Sequence, residues 1–469
     1  MLSAILGLDI GTTSVSVVAI NTSGIPLASV TLPHNAAVIG LPEGYAEQDP
    51  AALWKVTCDA LRQIRNAVPD YAITAIGLTG QMHSTLLLDS DGRPVTNIIT
   101  WQDKRSIVHH TNNRSLLDQL LSSVNDVDML PTGCQLAAGY LGTTIFALQQ
   151  LQQWPASATR VTFVADWIAA RLCEQRPVTD RSHAASSGLY DLQHDCWNPT
   201  LLARAACNPA WLPDVVDSGA VIGTVSTKAA TQTGLPAGVK VCNAIGDNQA
   251  SVLSSLPRTA GVLLINIGTG GQIAWRIPGF QRVAGLDTRY LPSLSSTTAA
   301  PQHEYMLVGA GLCGGDTIAW INRTIRQWLE AFGVQKSEAE VWQSLVEQMD
   351  ALPPDMPPLH CEPFFRGTRP DPERRGILSN IGSSNFIPAN VARSILSGMA
   401  DTLFAAFRNA SDHFPEPLTR IVMSGNGARR NPLLLKAIAE RFAVPAAVAE
   451  CREEAAIGAA ILAGVMTDS

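Results

Sequence analysis

A short pattern of one acidic or amide residue, an isoleucine, a glycine and a threonine occurs twice in this chain. The first copy is Asp9-Ile10-Gly11-Thr12-Thr13, and the second is Asn266-Ile267-Gly268-Thr269-Gly270. Each copy follows an apolar run and precedes another, which predicts a β-hairpin with a Gly/Thr tip in each half of the chain. Two matching copies indicate two related domains that join near residues 240–260.

The tips of these hairpins have the composition of a phosphate site. Glycine permits positive φ and close approach of a phosphate to the backbone, and consecutive N–H groups then form a concavity that binds anions. Asp9 is itself an anion, so we expect it to hold Mg²⁺ through water. The alternative is an ordinary hairpin in which glycine and threonine only form the turn, and the duplication argues against it. Hydroxyl donors are expected from Thr12, Thr13, Ser14 and Thr269.

A carboxylate that could accept the proton of a hydroxyl group stands at Asp247. It follows an apolar run at residues 239–245, which predicts a strand, and it precedes a predicted helix. Phosphoryl transfer to an alcohol needs such a base beside a metal site and phosphate donors. The alternative role is to cap the helix, and the spacing alone favours that role.

Polar residues at two further places could bind a polyol. Gln81-Met82-His83 ends a predicted strand, where Gln and His offer hydrogen bonds above an apolar methionine. Trp101-Gln102-Asp103 with Arg105 has a composition typical of polyol recognition, although a surface turn with an Asp–Arg pair fits it equally well. Asp166 and Asp180 are additional polar residues in apolar surroundings.

The last quarter of the chain alternates between strand and helix patterns. A strand at residues 420–423 is followed by the glycine-rich turn Ser424-Gly425-Asn426-Gly427-Ala428, a helix at 432–442, a strand at 444–449 and a closing helix at 453–465. This alternation indicates an α/β fold, and the turn places helix N–H groups where a nucleotide could bind. The chain lacks the P-loop sequence GxxxxGK[ST] and the third glycine of a dinucleotide fingerprint. The charged loop at residues 366–375 could approach phosphates or be a solvated connection.

Composition narrows the classes of protein. With 469 residues the chain is long enough for two domains. Apolar residues make up 46% and charged residues 16%, which indicates large buried cores. The net charge of −7 and the lack of long Lys/Arg runs argue against nucleic acid or an anionic membrane as partner.

Neither a membrane span nor a signal peptide is predicted. The apolar runs are shorter than a span requires, and the N-terminus lacks a basic region before Asp9. Nine cysteines are scattered without a CxxC pair, which is typical of reduced thiols in a cytoplasmic protein.

The order of these motifs resembles the FGGY carbohydrate kinases, and the resemblance covers essentially the whole chain. It implies two ribonuclease-H-like domains of the actin-like ATPase fold that close around a central cleft. It also implies a sugar-binding domain at residues 1–245 and a nucleotide-binding domain at 246–469, with ATP, Mg²⁺ and a small sugar as ligands. The oligomeric state stays open, with a homodimer as one arrangement. The motifs are Asp9 to Ser14, Gly80 to His83, Trp101 to Arg105, Gly246 to Ala250 and Ser424 to Gly427.

The resemblance assigns a role to each matching residue. Asp247 would be the catalytic base, and Asp9 would organise Mg²⁺. The implied sugar contacts are Gln81, Met82, His83, Trp101, Gln102, Asp103, Asp166, Asp180 and Asp247. The implied ATP-binding residues are Gly11, Thr12, Thr13, Ser14, Gly268, Thr269, Gly270, Gly314, Gly315, Gly427, Ala428 and Asn431.

Two branches of the family share Gly-Gln-Met-His, one acting on xylulose and one on sedoheptulose. Xylulose kinases usually have Trp-Asn-Asp where this chain has Trp101-Gln102-Asp103. Three features are more similar to the sedoheptulose branch than to the xylulose branch. They are the glutamine of Trp101-Gln102-Asp103, the run Gly142-Thr143-Thr144-Ile145-Phe146 and the run Ala184-Ala185-Ser186. The family's second signature is poorly kept around residues 381–385, and Asn426 replaces a glycine common in xylulose kinases.

Two alternatives from other classes keep the phosphate hairpins. One is an ATP-driven chaperone or ATP-binding sensor of the actin-like superfamily, which would not need the Gln-Met-His and Trp-Gln-Asp motifs. The other is a regulator derived from a kinase without activity, against which the intact Asp9 and Asp247 argue.

Overall fold

The computed structural model describes residues 2–108, 110–111, 113–256, 261–294, 304–365, 367, 371, 373–449 and 452–467. Two six-stranded sheets organise these residues, one in each half of the chain. The strands of the first half are β1 (Leu2–Ile10), β2 (Ser14–Asn21), β3 (Pro26–Pro33), β4 (Glu47–Gln48), β5 (Tyr71–Gly80), β6 (Leu86–Leu88), β7 (Ile98–Ile99), β8 (His110–Thr111), β9 (Arg114–Ser115), β10 (Arg160–Thr162), β11 (Thr179–Asp180), β12 (Tyr190–Asp191), β13 (Cys196–Trp197), β14 (Val215–Val216), β15 (Val221–Thr224) and β16 (Lys240–Gly246). Those of the second half are β17 (Val262–Ile267), β18 (Gly271–Ile277), β19 (Asp287–Leu291), β20 (Glu304–Leu312), β21 (His360–Glu362), β22 (Ile377–Ser379), β23 (Arg420–Ser424) and β24 (Ala446–Val448).

Helices cover the faces of the two sheets. The α-helices are α1 (Pro50–Ala67), α2 (Arg105–Val108), α3 (Leu116–Ser123), α4 (Asp126–Met129), α5 (Leu141–Gln150), α6 (Val164–Cys173), α7 (Arg181–Ser186), α8 (Pro199–Arg204), α9 (Thr227–Thr233), α10 (Asp247–Ser255), α11 (Gly315–Ala331), α12 (Glu338–Asp350), α13 (Pro388–Arg408), α14 (Asn426–Arg429), α15 (Pro432–Phe442) and α16 (Glu454–Thr467). Short 3₁₀ turns occupy Leu130–Thr132, Pro209–Trp211 and Ser411–His413.

The two sheets share one arrangement of five strands. In the first sheet β1, β2 and β3 are antiparallel neighbours, and β5 and β16 follow on the other side of β1 in parallel. In the second, β17, β18 and β20 are antiparallel, and β23 and β24 follow β17 in parallel. The predicted α/β fold of two related domains is therefore confirmed, and both predicted hairpins are present as β1–β2 and β17–β18.

Sequence periodicity explains how the helices dock. In α1 the side chains of Leu53, Leu61 and Ile64 are fully buried at helical spacing, while the opposite face is polar. Asp49 caps this helix by accepting the N–H of Ala51, and Pro50 occupies its first turn. The apolar face packs into the same core as β1, β2 and β5.

The last helix of the chain lies against the first sheet. A Cβ added to Gly7 in β1 would stand 1.7 Å from the carbonyl oxygen of Ala456, and one added to Gly458 would stand 1.9 Å from that of Ala250. Only glycine permits this close backbone approach, which joins α16 to β1 and to α10. The first sheet ends with Gly246 in β16 and the second begins with Val262 in β17, so the boundary at 245/246 stays a prediction, and α10 and α16 bridge the two sheets.

Within the described residues, no helix combines the length and the apolar composition needed to cross a membrane.

Candidate active site

A cavity of about 440 Å³ is lined by both halves of the chain. The ends of β1, β5 and β16 point at it from the first sheet, because parallel strands meet at one edge of a sheet. Residues of β17, β18, β19 and the segment before α16 line it from the second half. We call it the acceptor cavity; its lining is Asp9, Thr12, Met82, His83, Trp101, Asp247, Asn248, Ser251, Asn266, Gln272, Arg289, Arg452, Glu453, Glu454 and Ala455.

Asp247 is the first residue of α10 and follows β16 directly. The N-cap position belongs to Gly246, so Asp247 is not the capping residue. Its Oδ1 accepts the N–H of Asn248 at 2.7 Å. Burial raises the pKa of Asp247, and the N–H of Asn248, His183 and Arg289 oppose that rise. A carboxylate with a raised pKa that faces a cavity is suited to accept a proton near neutral pH.

Asp9 lies in β1 and lines the same cavity. Its Oδ1 is buried and has no hydrogen-bond partner among the described residues. Burial, then the charges of Asp247 and Glu453, raise the pKa of Asp9 to about 8. A cation would relieve the repulsion among these carboxylates. In the described part of the chain no three ligating side chains stand close enough to hold a metal directly.

His83 is held in one orientation at the edge of the cavity. Its φ of 69° is left-handed, and its N–H donates to Ser186 Oγ at 3.2 Å. Its Nδ1 donates to the carbonyl oxygen of Ser186 at 2.6 Å, and its ring stacks on Tyr140 with centroids 4.0 Å apart. In that tautomer Nε2 is an acceptor, which suits a hydroxyl group. Met82 lies beside it in the cavity wall.

A chain of hydrogen bonds supports the tip of the first hairpin. The indole Nε1 of Trp101 donates to Thr12 Oγ1 at 3.0 Å, and Thr12 Oγ1 donates to Gln81 Oε1 at 3.5 Å. The Gln81 amide donates to Gln48 Oε1 at 2.9 Å, and Gln48 Nε2 donates to the carbonyl oxygen of Thr12 at 2.7 Å. Gln81 is 1% exposed and does not line the cavity. The expected sugar contact at Gln81 is therefore replaced by a supporting role beneath the tip.

Asp103 and Gln102 do not line the acceptor cavity either. The carboxylate of Asp103 is buried and pairs with Arg105 at 2.8 Å, and its Oδ2 accepts the N–H of Ala46 at 2.9 Å. The Asp–Arg pair weighed above is thus present, but in the interior rather than in a surface turn. Gln102 is exposed outside the cavity. Neither residue lines the cavity where the sugar is expected.

Asp166 and Asp180 lie deeper still. Asp166 is 1% exposed and Asp180 is fully buried, so neither reaches the cavity. Asp180 caps α7 by accepting the N–H of His183 at 2.9 Å, and its Oδ2 accepts Ser218 Oγ at 2.6 Å. The two carboxylates expected to contact the sugar thus lie in the interior and not in the cavity lining.

A larger cavity, about 980 Å³, lies on the other side of the second hairpin. We call it the nucleotide cavity. Five residues expected from the sequence line it, namely Gly268, Thr269, Gly315, Gly427 and Asn431, and the rest of the lining is Asp316, Ile318, Ala319, Asn322, Glu338, Ala339, Trp342, Gly425, Asn426 and Arg430. Ala428 is buried outside this lining. Gly314 is buried too, since its backbone packs on Gly270.

Backbone contacts fasten the tip of the second hairpin to α11. The N–H of Gly315 donates to the carbonyl oxygen of Gly268 at 2.8 Å, and that of Asp316 to Thr269 at 3.0 Å. A Cβ on Gly315 would stand 2.7 Å from Gly268 O. The expectation of positive φ at the hairpin tips is wrong, because neither Gly11 nor Gly268 has it, whereas Gly425 does at 85°. Close approach, rather than φ, requires glycine at Gly11, where a Cβ would stand 2.9 Å from the carbonyl oxygen of Ser14, whereas a Cβ on Gly268 would meet only Gly270 O at 3.9 Å.

The remaining expected phosphate residues lie outside both cavities. Gly11 donates its N–H to the carbonyl oxygen of Ser14 at 3.0 Å within the turn, and Thr13 is exposed beside it. Gly270 lines a third cavity of about 520 Å³. Of the charged loop at 366–375, residues 366, 368–370 and 372 lie outside the described residues; Arg374 pairs with Glu362 at 2.8 Å.

Sequence reasoning missed a polar chain along the far wall of the acceptor cavity. Asn248 Nδ2 donates to Gln272 Oε1 at 3.1 Å, and Arg289 Nη1 donates to Asn248 Oδ1 at 3.3 Å. Arg289 also pairs with Asp287 at 3.1 Å. The position of Asn248 next to Asp247 could have indicated that Asn248 lies at the site. Arg289 comes from a strand distant in the sequence, and no local pattern marks it as a cavity residue.

Known proteins match this chain along almost its full length. Residues 4–254 match the N-terminal domain of the FGGY family of carbohydrate kinases, and residues 283–467 match its C-terminal domain. A sedoheptulokinase from Mus musculus is 28% identical, covering 97% of this chain and 96% of its own. A glycerol kinase from Trichlorobacter lovleyi is also 28% identical, covering 99% and 90%. The crystal structure of a ligand-bound xylulose kinase from Lactobacillus acidophilus has a TM-score of 0.82 at 22% identity, covering 98% and 89%.

Two α/β domains with a polar cavity between them provide the arrangement that phosphoryl transfer to a small hydroxyl compound needs. The chain belongs to the FGGY family of carbohydrate kinases. Family membership therefore favours a carbohydrate kinase over the alternative of an ATP-driven chaperone or ATP-binding sensor. The structural likeness at 22% identity concerns the fold alone.

Proposed function

We propose that this kinase transfers the γ-phosphate of ATP to the terminal hydroxyl of a ketose, with sedoheptulose as acceptor and sedoheptulose 7-phosphate as product. The observation that carries the proposal is the acceptor cavity, where Asp247 has a raised pKa and faces Asp9, His83 and Trp101. The likeness to the mouse sedoheptulokinase along nearly all of both chains supports the choice of sugar.

The acceptor would enter between the walls of this cavity. Nε2 of His83 would accept a hydrogen bond from a hydroxyl group of the sugar. The ring of Trp101 would pack against an apolar face of the sugar. Asp247 would accept the proton of the terminal hydroxyl as its oxygen attacks phosphorus, and a carboxylate base of this kind contributes about 10²–10⁴-fold to the rate. Arg289, on the opposite wall, carries positive charge toward the place where phosphate charge develops.

ATP would occupy the nucleotide cavity, with its phosphates at the second hairpin. Asn266 lines the acceptor cavity and Gly268 lines the nucleotide cavity, so the two cavities meet at the end of β17. A phosphoryl group that moves from the nucleotide cavity to the acceptor cavity would pass only the tip of the second hairpin. Trp342 and Glu338 supply apolar and polar surface for the adenosine part.

Asp9 would hold Mg²⁺ through water, with Glu453 as a second carboxylate nearby. A bound Mg²⁺ neutralises phosphate charge during transfer. The unpartnered Oδ1 of Asp9 and its raised pKa support this assignment.

Polyols and a five-carbon ketose are the competing acceptors. The glycerol kinase likeness supports a polyol, and xylulose is the ketose alternative from the sequence. ADP release should be measured with sedoheptulose, xylulose, glycerol and no acceptor at equal concentrations. We expect the highest kcat/KM with sedoheptulose. A clear preference for xylulose or glycerol would overturn the choice of sugar. ADP release that is equal with and without every acceptor would indicate ATP hydrolysis without a sugar acceptor, and the absence of ADP release with all of them would support a regulator without kinase activity.

A further inference from the structure

Three ionisable side chains lie behind Asp247, on the side away from the acceptor cavity. His183 in α7, Asp166 in α6 and Asp180 just before α7 are each at most 1% exposed. His183 Nδ1 lies 3.6 Å from Asp166 Oδ1 and 3.8 Å from Asp180 Oδ1. The mechanism proposed above uses none of them. Burying charged groups is costly unless they interact, so their retention here needs a reason.

The surroundings of His183 favour its charged form. Its ring stacks on Phe163 with centroids 5.2 Å apart, and among the described residues neither ring nitrogen has a hydrogen-bond partner of ordinary length. Asp180 accepts three donors, Ser182 Oγ, the His183 N–H and Ser218 Oγ, as an ionised carboxylate does. Burial raises the pKa of Asp166, and the charge of His183 opposes that rise. Asp166 and Asp180 both face the ring, and their negative charge stabilises the imidazolium.

The same cluster is joined to the base by a hydrogen bond and by charge. Ser182 Oγ donates to Asp180 at 2.7 Å and accepts the N–H of Gly246, the residue before Asp247, at 2.8 Å. Burial alone would lower the pKa of His183, yet Asp166, Asp180 and Asp247 together raise it.

Other charges reach Asp247 from the cavity side. Arg289 lowers the pKa of Asp247, as His183 does, and the charge of Asp247 raises the pKa of Asp9. Of the two side chains that lower the pKa of Asp247, His183 is buried in the interior and Arg289 lines the cavity.

We propose that His183 is a positioning residue for phosphoryl transfer: Asp166 and Asp180 hold it as an imidazolium, which places a fixed positive charge behind Asp247 while Ser182 anchors the adjoining peptide. The inference rests on the proposed function, in which Asp247 accepts the proton of the acceptor. His183 lines neither cavity, so its effect should fall on kcat rather than on the KM for either substrate.

The charge of His183 can be observed without any acceptor. Ring ¹⁵N spectra of the full-length protein would be recorded between pH 6 and 9, with His183→Gln identifying the signal. We expect His183 to show imidazolium shifts at pH 8, where an ordinary histidine, with a pKa of about 6.5, is neutral. In Asp166→Asn we expect the signal to change to that of a neutral ring. A neutral His183 in the unaltered protein at pH 7 would overturn the inference, whatever the acceptor proves to be.

Kinetics then tests the link to catalysis. With the acceptor that gives the highest kcat/KM, we expect His183→Gln and Asp166→Asn each to lower kcat about tenfold and to change the acceptor KM less than about twofold. Asp166→Asn keeps the ring and its packing on Phe163, so it covers the case in which His183→Gln fails to fold. The double variant should have about the same kcat as either single variant, because both substitutions remove the same positive charge.

His194 provides a matched control. It also pairs with an aspartate three residues away, Asp191 at 2.8 Å, but its side chain is 66% exposed. His194→Gln should leave kcat within about 1.5-fold of the unaltered protein, since a surface pair contributes little. Equal losses of kcat in the His183 and His194 variants, or unchanged kcat in both His183→Gln and Asp166→Asn, would contradict the proposal even if His183 is charged.

Discussion

The acceptor cavity and the nucleotide cavity lie on either side of one hairpin and are built differently. Charged and amide side chains such as Asp247, Asp9 and Arg289 line the first. Glycine backbone at Gly268, Gly315 and neighbouring turns, with apolar side chains, lines much of the second. Under the proposed function this matches the ligands, because proton transfer needs charged groups whereas phosphates bind to exposed N–H groups at close range.

The two hairpins show the same contrast in one structural device. Asp9 pairs with Ser16 across the first hairpin, and Asn266 pairs with Gln272 across the second, each two residues before the tip glycine. Side chains from Trp101 and Gln48 support the first tip, whereas backbone N–H groups of α11 hold the second. Under the proposed function, an amide at the second position avoids the repulsion that a carboxylate would exert on the phosphates of ATP. The two hairpins therefore share one fold, and only the first carries an acidic side chain at this position.

Removing the charge of the base should have the largest effect. We expect Asp247→Asn to lower kcat by about 10²–10⁴-fold with little change in the KM for ATP, since it acts in the acceptor cavity. Steady-state ADP release measures this, and Asp70→Asn, in a turn far from either cavity, is the control. A kcat within about threefold of the unaltered enzyme would refute the role of Asp247.

Asp9→Asn should stabilise the protein in the absence of metal and nucleotide. The pKa of Asp9 is raised from 3.8 to about 8 in the folded state. Between pH 3.8 and about pH 8, the Asp9 carboxyl is therefore ionised in the unfolded chain and protonated in the native protein. The native state therefore loses stability as pH rises through this window, and asparagine does not. We expect the advantage of Asp9→Asn in urea unfolding with EDTA to grow by a few kcal/mol from pH 5 to pH 8. An advantage equal at both pH values would contradict the raised pKa.

Substitutions in the nucleotide cavity should act through shape. A Cβ on Gly427 would stand 2.4 Å from Ile267 Cγ2 and 2.7 Å from Ile267 O, which would displace the turn from the hairpin. We expect Gly427→Ala to raise the KM for ATP about tenfold and to change the acceptor KM much less. Gly279→Ala is the control, because a Cβ there meets no atom within 4 Å. A rise in the acceptor KM alone would mean that the two cavities are not separate in function.

Loosening the first tip should have the smallest effect. Trp101→Phe keeps an aromatic ring but removes the Nε1 donor to Thr12. One hydrogen bond contributes about 0.5–1.5 kcal/mol, so we expect the acceptor KM to rise roughly threefold and the KM for ATP to stay constant. Equal rises in both KM values would show that the first tip also serves the nucleotide.

Local patterns predicted most of the fold. The helix at 432–442 coincides with α15, and both hairpins form where the Gly/Thr tips were expected. These features depend on contacts between residues close in the chain, such as turn chemistry and apolar periodicity. Asp247, Met82 and His83 line one cavity, while the roles that the resemblance gives them stay predictions.

The misplaced residues share one physical cause. Gln81 and Asp103 stand within two residues of the cavity-lining Met82 and Trp101, but their side chains turn inward to Gln48 and Arg105. The carboxylate of Asp180 also lies in the interior, where Ser218 donates to it. A buried polar group and a ligand contact have the same composition signal, and only the fold separates them. Arg289 and Trp342 were missed because tertiary packing alone brings them to a cavity.

The fate of the γ-phosphate tests the central claim most directly. ATP labelled in its γ-phosphate should be mixed with the enzyme and sedoheptulose, and the label followed by mass spectrometry. We predict that label appears on the terminal oxygen of the sugar in equal amount to the ADP formed, and that Asp247→Asn abolishes most of this transfer. Label found only in inorganic phosphate, with sedoheptulose, xylulose and glycerol alike, would contradict the account.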